Sequence, residues 1–154
     1  MNVKGKNIII TGGSLGIGKE TAKVLVEKGA NVLITGRLQN RLKDARIYTK
    51  SKIIEFDISD HKNISENAEK CMDILGGKID VLINNAGIGV RKSIDELNIE
   101  DFLKVFNVNV FGLALFTKEI VPHMINKSFG TIINIGSTAS LKGYKNGSIY
   151  SSSK

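Results

Sequence analysis

The chain has no tryptophan, one cysteine and one proline, and aromatic residues make up 6% of its 154 positions. Each scarcity removes a class of protein. A lone Cys71 closes no internal disulfide, and such cysteine usage fits a reducing, cytoplasmic compartment. It stands beside Met72 on an expected helix and reads as a packed or surface thiol. No stretch approaches the ~18 consecutive apolar residues of a membrane span. The opening residues, Met-Asn-Val-Lys-Gly-Lys, run into an apolar strand without a signal-peptide h-region, so no membrane partner is expected. Net charge is +7, yet no run of five or more Lys or Arg occurs, and this spread argues against nucleic acid as a partner. His61 and His123 lie far apart, so no metal site is expected. There are no repeats, low-complexity segments or linkers. What remains, 42% hydrophobic and 24% charged, is ordinary for one soluble globular domain over 1–154.

Helical and strand patterns alternate along that domain. Apolar runs predict strands near 6–11, 31–35, 52–56, 79–84 and 130–136. They are nearly continuous in Ile, Val and Leu, as strands covered on both faces should be. Helices are predicted over 17–28, 38–46, 61–75 and 100–126, with a short one near 92–97 and a last one starting near 148. Gly29, Gly76-Gly77 and Gly130 stand where helices give way to strands, as C-terminal caps do. Pro122 lies late in the 100–126 helix and is expected to kink it. The alternation argues an α/β, doubly wound parallel sheet of Rossmann type. With right-handed crossovers and a switch point after the first strand, the strand order is 3-2-1-4-5.

Chemistry is concentrated at the two ends of the chain. After the first strand comes Thr11-Gly12-Gly13-Ser14-Leu15-Gly16-Ile17-Gly18, and then a helix. Glycines permit a tight turn and close backbone approach, and the helix N-terminus offers free N–H groups to a phosphate. Gly12, Ser14, Gly16, Ile17 and Gly18 are therefore candidate cofactor-binding residues. Their spacing, Gly-x-x-x-Gly-x-Gly, differs from the commoner Gly-x-Gly-x-x-Gly. At the other end stand Tyr150 and Lys154, four apart and so on one helix face. An ammonium within a few ångströms of a phenol lowers its pKa by about 1–3 units, which would let Tyr150 exchange a proton near neutral pH. Between them, Asn84-Asn85-Ala86-Gly87 follows the apolar run Val81-Leu82-Ile83.

Taken in order, these motifs resemble the short-chain dehydrogenase/reductase family in its single-domain form, from Thr11 to Lys154. The resemblance implies hydride transfer between a nicotinamide cofactor and a small-molecule alcohol or carbonyl. It implies a catalytic set of Asn109, Ser137, Tyr150 and Lys154. Tyr150 would be the acid/base, and Ser137, thirteen positions before it, would bond the reacting oxygen. Ser140 is the fallback for Ser137. Asn109 would hold a water in a proton relay to Lys154; Asn107, expected to be exposed, exchanges roles with it under a shift of register. Lys154 would also hold the nicotinamide ribose, and Tyr150 would lie against the same cofactor. Asn85, Ala86 and Gly87 would let the cofactor approach, Asn85 more as a brace between strands than as a substrate contact. Asp57 would meet the adenine, with a turn-forming Asp the equal alternative.

Cofactor choice is read after the second strand, in Thr35-Gly36-Arg37. No carboxylate stands there to accept the ribose hydroxyls of NAD(H), and a guanidinium is available for a 2′-phosphate. NADP(H) is favoured, with NAD(H) the alternative. The 100–126 helix is apolar almost all round, which demands burial on two sides; the resemblance assigns it, with the Tyr150 helix, to a homo-oligomer interface. Family members run to about 250 residues, at the upper end of single-domain size. The C-terminal strands are therefore expected to be missing from 1–154, leaving an incomplete dinucleotide-binding domain that is inactive alone. A truncated nucleotide-binding fragment without catalysis is the alternative function.

Overall fold

Three consecutive isoleucines, Ile8 to Ile10, form the middle of the sheet and are all buried. The computed structural model describes residues 2–154. Its five parallel strands are β1 (Asn7–Ile10), β2 (Asn31–Gly36), β3 (Lys52–Glu55), β4 (Val81–Asn84) and β5 (Thr131–Asn134). They lie in the order β3-β2-β1-β4-β5, as the alternating pattern predicts. Register aligns Ile9 with Leu33 on one side and with Leu82 on the other.

Side chains alternate across a strand, so one apolar run feeds two cores. Ile9, Leu33 and Leu82 point into one layer with Phe116, Ile120 and Cys71. Ile8, Ile10, Val32 and Ile34 point into the other with Ala22, Leu42 and Ala45. The helices that supply these partners are α1 (Gly16–Glu27) and α2 (Gln39–Thr49) on one face, and α3 (Ile64–Ile74) and α5 (Leu113–Asn126) on the opposite one. Burying each Ile, Leu, Val or Phe side chain among them contributes about 1.5–3 kcal/mol. The outer strand β5 is different: Ile132 and Ile133 remain 39% and 42% exposed.

Helix ends depart from expectation at one glycine. Gly29, Gly76 and Gly77 do take positive φ, at +82°, +73° and +74°. After α5, however, Ser128 adopts the left-handed conformation (φ 52°), and Gly130 does not. Gly130 serves packing instead, because a Cβ there would come within 2.5 Å of the Met124 side chain.

The predicted single helix over 100–126 is three segments. α4 (Ile99–Phe106) leads into a π-helical turn (Asn107–Gly112), and α5 follows. Asn98 caps α4, its Oδ1 accepting from the Asp101 N–H at 2.9 Å while its own N–H donates to Asp101 Oδ2 at 3.3 Å. The π turn lies where Gly112 faces the Ile58 carbonyl, with which any Cβ would collide. α5 continues through Pro122. The short helix near 92–97 is a 3-10 turn, Ile94–Glu96, and the last helix is α6 (Ser148–Ser153).

Candidate active site

The turn between β1 and α1 is shaped by what each glycine must avoid. At Gly12 (φ +66°) a Cβ would lie 2.8 Å from Ala86 Cα, and at Gly13 it would lie 2.5 Å from Ile34 Cβ. At Gly18 it would meet the Asn85 amide nitrogen at 2.5 Å. These three let the turn press against β2 and β4. Gly16 (φ +53°) has nothing within 4 Å of its Cβ direction and lines an open cleft of about 430 Å³. α1 starts there, and Leu15, its N-cap, supplies no side-chain cap. Its first N–H groups have no side-chain acceptor, as an anion-receiving helix end requires.

Thr11 fastens this turn to the end of β4. Its Oγ1 accepts from the backbone N–H of Asn85 (3.1 Å) and of Ala86 (3.0 Å). Asn85 returns the link, its Nδ2 donating to the carbonyls of Thr11 and Gly12, each at 3.0 Å. Gly12, Ser14, Gly16, Ile17, Arg37, Asp57, Asn85, Ala86 and Gly87 all line the one cleft, whereas Gly18 stands behind it against Asn85. Thr11 is a structural contributor absent from the predicted site residues; its position between an Ile run and the glycines was the available signal.

Arg37 Nη1 lies 3.8 Å from Asp57 Oδ2, both side chains being well exposed. Asp57 is also turn-forming, its Oδ1 accepting from the Ser59 N–H (2.9 Å) and hydroxyl (2.7 Å). A second cation, Arg41, lines the same end of the cleft and was not anticipated. It lies in the first turn of α2, whereas Arg37 precedes that helix.

The opposite end of the cleft meets the Tyr150 helix. Gly87 is the junction: a Cβ on it would stand 3.5 Å from Asn109 Oδ1 and 3.7 Å from Lys154 Nζ. Lys154 Nζ donates to the Ile135 carbonyl, and burial pushes its pKa below the ordinary lysine value. The half-buried Tyr150 ring lies against Gly89, whose Cβ would be 3.3 Å from Tyr150 Cδ2. Asn109 is buried in the π turn; its Oδ1 accepts from the Ile88 N–H at 2.8 Å, and its Nδ2 donates to Ile88 O at 2.9 Å and Ser153 Oγ at 2.8 Å. Asn107, expected to be exposed, is half-buried, and its carbonyl lies 3.1 Å from His61 Nε2. Ser137 follows β5 and caps a 3-10 turn, its Oγ accepting from the Ala139 N–H at 3.1 Å. That leaves its hydroxyl proton free to donate. Ser140 Oγ donates to Ser137 O at 2.6 Å. Among the described residues no hydrogen bond joins Ser137 to Tyr150 or Lys154. Cys71 is buried in the sheet core, where desolvation pushes its thiol up to about 12.

The short chain dehydrogenase family model matches residues 6–154. An uncharacterized oxidoreductase of Staphylococcus epidermidis is 30% identical over 99% of this chain and 66% of its own length. A 2-dehydro-3-deoxy-L-rhamnonate dehydrogenase (NAD(+)) of Sphingomonas is 34% identical over 97% of this chain and 61% of its own. Among solved structures, an NAD+-bound xylitol dehydrogenase superposes with TM-score 0.91 at 28% identity, over all of this chain and 61% of that one. The chain spans 49% to 68% of the length of the curated relatives it matches. A glycine turn and an Asn-Ala-Gly junction lining one cleft, with a Tyr-Lys helix beside Gly87, thus coincide with a family match across nearly every residue, and the chain belongs to the short chain dehydrogenases, a family of oxidoreductases.

Proposed function

We propose that residues 1–154 form the dinucleotide-binding domain of an NADP(H)-dependent oxidoreductase acting on a small-molecule alcohol or carbonyl. The observation that carries this reading is Gly87, which lines the cleft and at which an added Cβ would come into van der Waals contact with Asn109 and Lys154. One residue thereby joins the phosphate cradle to the proton-transfer pair. A bound nicotinamide dinucleotide would supply or accept the hydride. The chain's residues fit such a group: the bare direction at Gly16 and the uncapped start of α1 would receive its phosphates. Ala86 and Gly87, carrying little or no side chain, leave the backbone accessible along the cleft. Lys154 would hold ribose hydroxyls, Tyr150 would give or take the proton at the substrate oxygen, and Ser137, whose hydroxyl proton is free, would steady that oxygen.

Arg37 and Arg41 support NADP(H), since two guanidiniums at one end of the cleft suit a 2′-phosphate. Against them stand two relatives whose names specify NAD+, and Asp57, which already lies beside Arg37. A direct measurement separates the cofactors: titrate 1–154 with NADPH and NADH, following reduced nicotinamide fluorescence. Tighter binding of NADPH is expected, and equal affinities would remove the assignment. A second reading, dinucleotide binding without turnover, is favoured by the share of its relatives' length that the chain spans.

A further inference from the structure

Ser153 stands between the two residues assigned to chemistry at the end of the chain, and its side chain is buried. Its Oγ donates to the Tyr150 carbonyl at 2.8 Å and accepts from Asn109 Nδ2, also at 2.8 Å. Asn109 in turn grips both backbone polar groups of Ile88, donating to its carbonyl and accepting from its N–H. The hydroxyl therefore uses its one proton and one lone pair on two different elements. Asn109 Nδ2 has both of its protons engaged, one on Ile88 O and one on Ser153 Oγ. This is a closed network in which each member is satisfied, the condition under which buried polar groups hold a geometry rather than cost stability.

The network joins three parts of the chain that meet around Gly87: the segment following β4, the π turn and α6. Among the described side-chain hydrogen bonds that α6 and Lys154 make to the rest of the chain are Asn109–Ser153 and Lys154–Ile135. The π turn also matters. A π turn inserts a residue into the helical repeat and so re-aims the side chains on either side of it. Asn109 lies inside that turn.

We propose that Ser153 is a positioning residue, which locks α6 to the π-turn Asn109 and so sets where Tyr150 and Lys154 stand relative to Gly87. The proposal rests on the reading of Tyr150 and Lys154 as the proton-transfer pair. Ser153 touches neither cofactor nor reacting atoms; it acts through Asn109 and through the backbone of Tyr150. An apolar side chain at 153 leaves Asn109 with a buried, unpaired N–H and loosens the turn that carries Lys154. Thr keeps the hydroxyl and is the conservative substitution.

Lys154 itself provides the readout, because burial alone lowers its pKa, and no carboxylate contributes to that shift. The titration of Lys154 therefore reports its solvation. We would label the lysine side chains of 1–154 with 13C at Cε and follow Lys154 by NMR across alkaline pH in wild type, Ser153→Ala and Ser153→Thr. In Ser153→Ala the midpoint is expected to move up toward the ordinary lysine value; in Ser153→Thr it is expected to stay with wild type. An unchanged midpoint in Ser153→Ala would overturn the proposal. If that variant does not fold, the wild-type chain still decides. Its Asn109 side-chain amide protons should exchange about tenfold or more slowly than those of the exposed Asn40, since they open only when the network does. Equal exchange rates would overturn it as well. Adding NADPH to the wild-type sample tests the underlying reading separately: an unmoved Lys154 resonance at saturating NADPH would remove Lys154 from the cofactor site and leave the Ser153 tether standing.

Discussion

Arg37 is the residue whose role is most exposed to a single substitution. A charge-assisted hydrogen bond is worth about 1.5–3 kcal/mol, so Arg37→Ala should weaken NADPH binding by roughly ten- to a hundredfold. NADH affinity should be unchanged, because it carries no 2′-phosphate, and fluorescence titration of both would show the contrast. Tyr150→Phe removes one transferable proton and should leave NADPH affinity near wild type, whereas Lys154→Ala should weaken it. Equal behaviour of the two variants in the same titration would contradict the division of roles. At this scale much was legible. Tyr150 and Lys154 are four apart, and the glycines precede a helix; both are local facts. Arg41 was missed because cleft lining depends on how α2 leaves β2. The hydrogen-bond partners of Asn109 were missed because Ile88 and Ser153 are distant in sequence and adjacent only through the crossovers.

The helical segments carry the next set of expectations. Gly112 faces the Ile58 carbonyl with no room for a Cβ, whereas Gly143 has nothing within 4 Å. Gly112→Ala should therefore destabilise by about 1–3 kcal/mol, as overpacking does, while Gly143→Ala should be close to neutral. Urea denaturation of both variants measures the difference. Within α3, burial raises the Cys71 thiol to about 12 from an ordinary value of 9.0. Above pH 9 the unfolded chain loses this proton and the folded chain keeps it, so the stability that Cys71 contributes falls as pH rises from 9 toward 12. The slope is about 1.4 kcal/mol per pH unit. Replacing it in Cys71→Ala should flatten the alkaline limb of stability against pH relative to wild type, and an identical limb would show that the thiol ionises freely in the fold. The segment 100–126 was recognisable as helical from its apolar residues. The π turn was not, because no periodicity within 100–126 distinguishes it from α-helix, and the close approach of Gly112 to the Ile58 carbonyl joins residues distant in sequence.

For the whole molecule, the sheet edge and one layer of helix are left uncovered. Ile132 and Ile133 on β5 are exposed beside Ile125 (68%) and Phe129 (43%), and Leu103 and Phe111 are exposed at 47% and 45%. An unpaired edge strand with apolar neighbours is a template for association. Light scattering of 1–154 should show mass rising with concentration, and Ile133→Lys should shift the distribution toward monomer. No turnover of carbonyls with NADPH is expected from 1–154 itself, since the chain spans only 61% to 66% of the length of the relatives named above and catalytic geometry tolerates about 1 Å of error before losing ~100-fold in rate. Robust activity from a monodisperse monomer, abolished by Tyr150→Phe, would refute that expectation. The amino-acid sequence alone determined the alternation of elements, the strand order and the glycine turn before α1, because periodic burial and glycine conformation are properties of a few neighbouring residues. Only the tertiary structure decided that Ser128 rather than Gly130 turns the chain after α5, that a π turn interrupts the long helix, and that Ser153 meets Asn109. Each of those depends on which distant backbone or side chain occupies the adjacent space, and that is set by packing across the sheet.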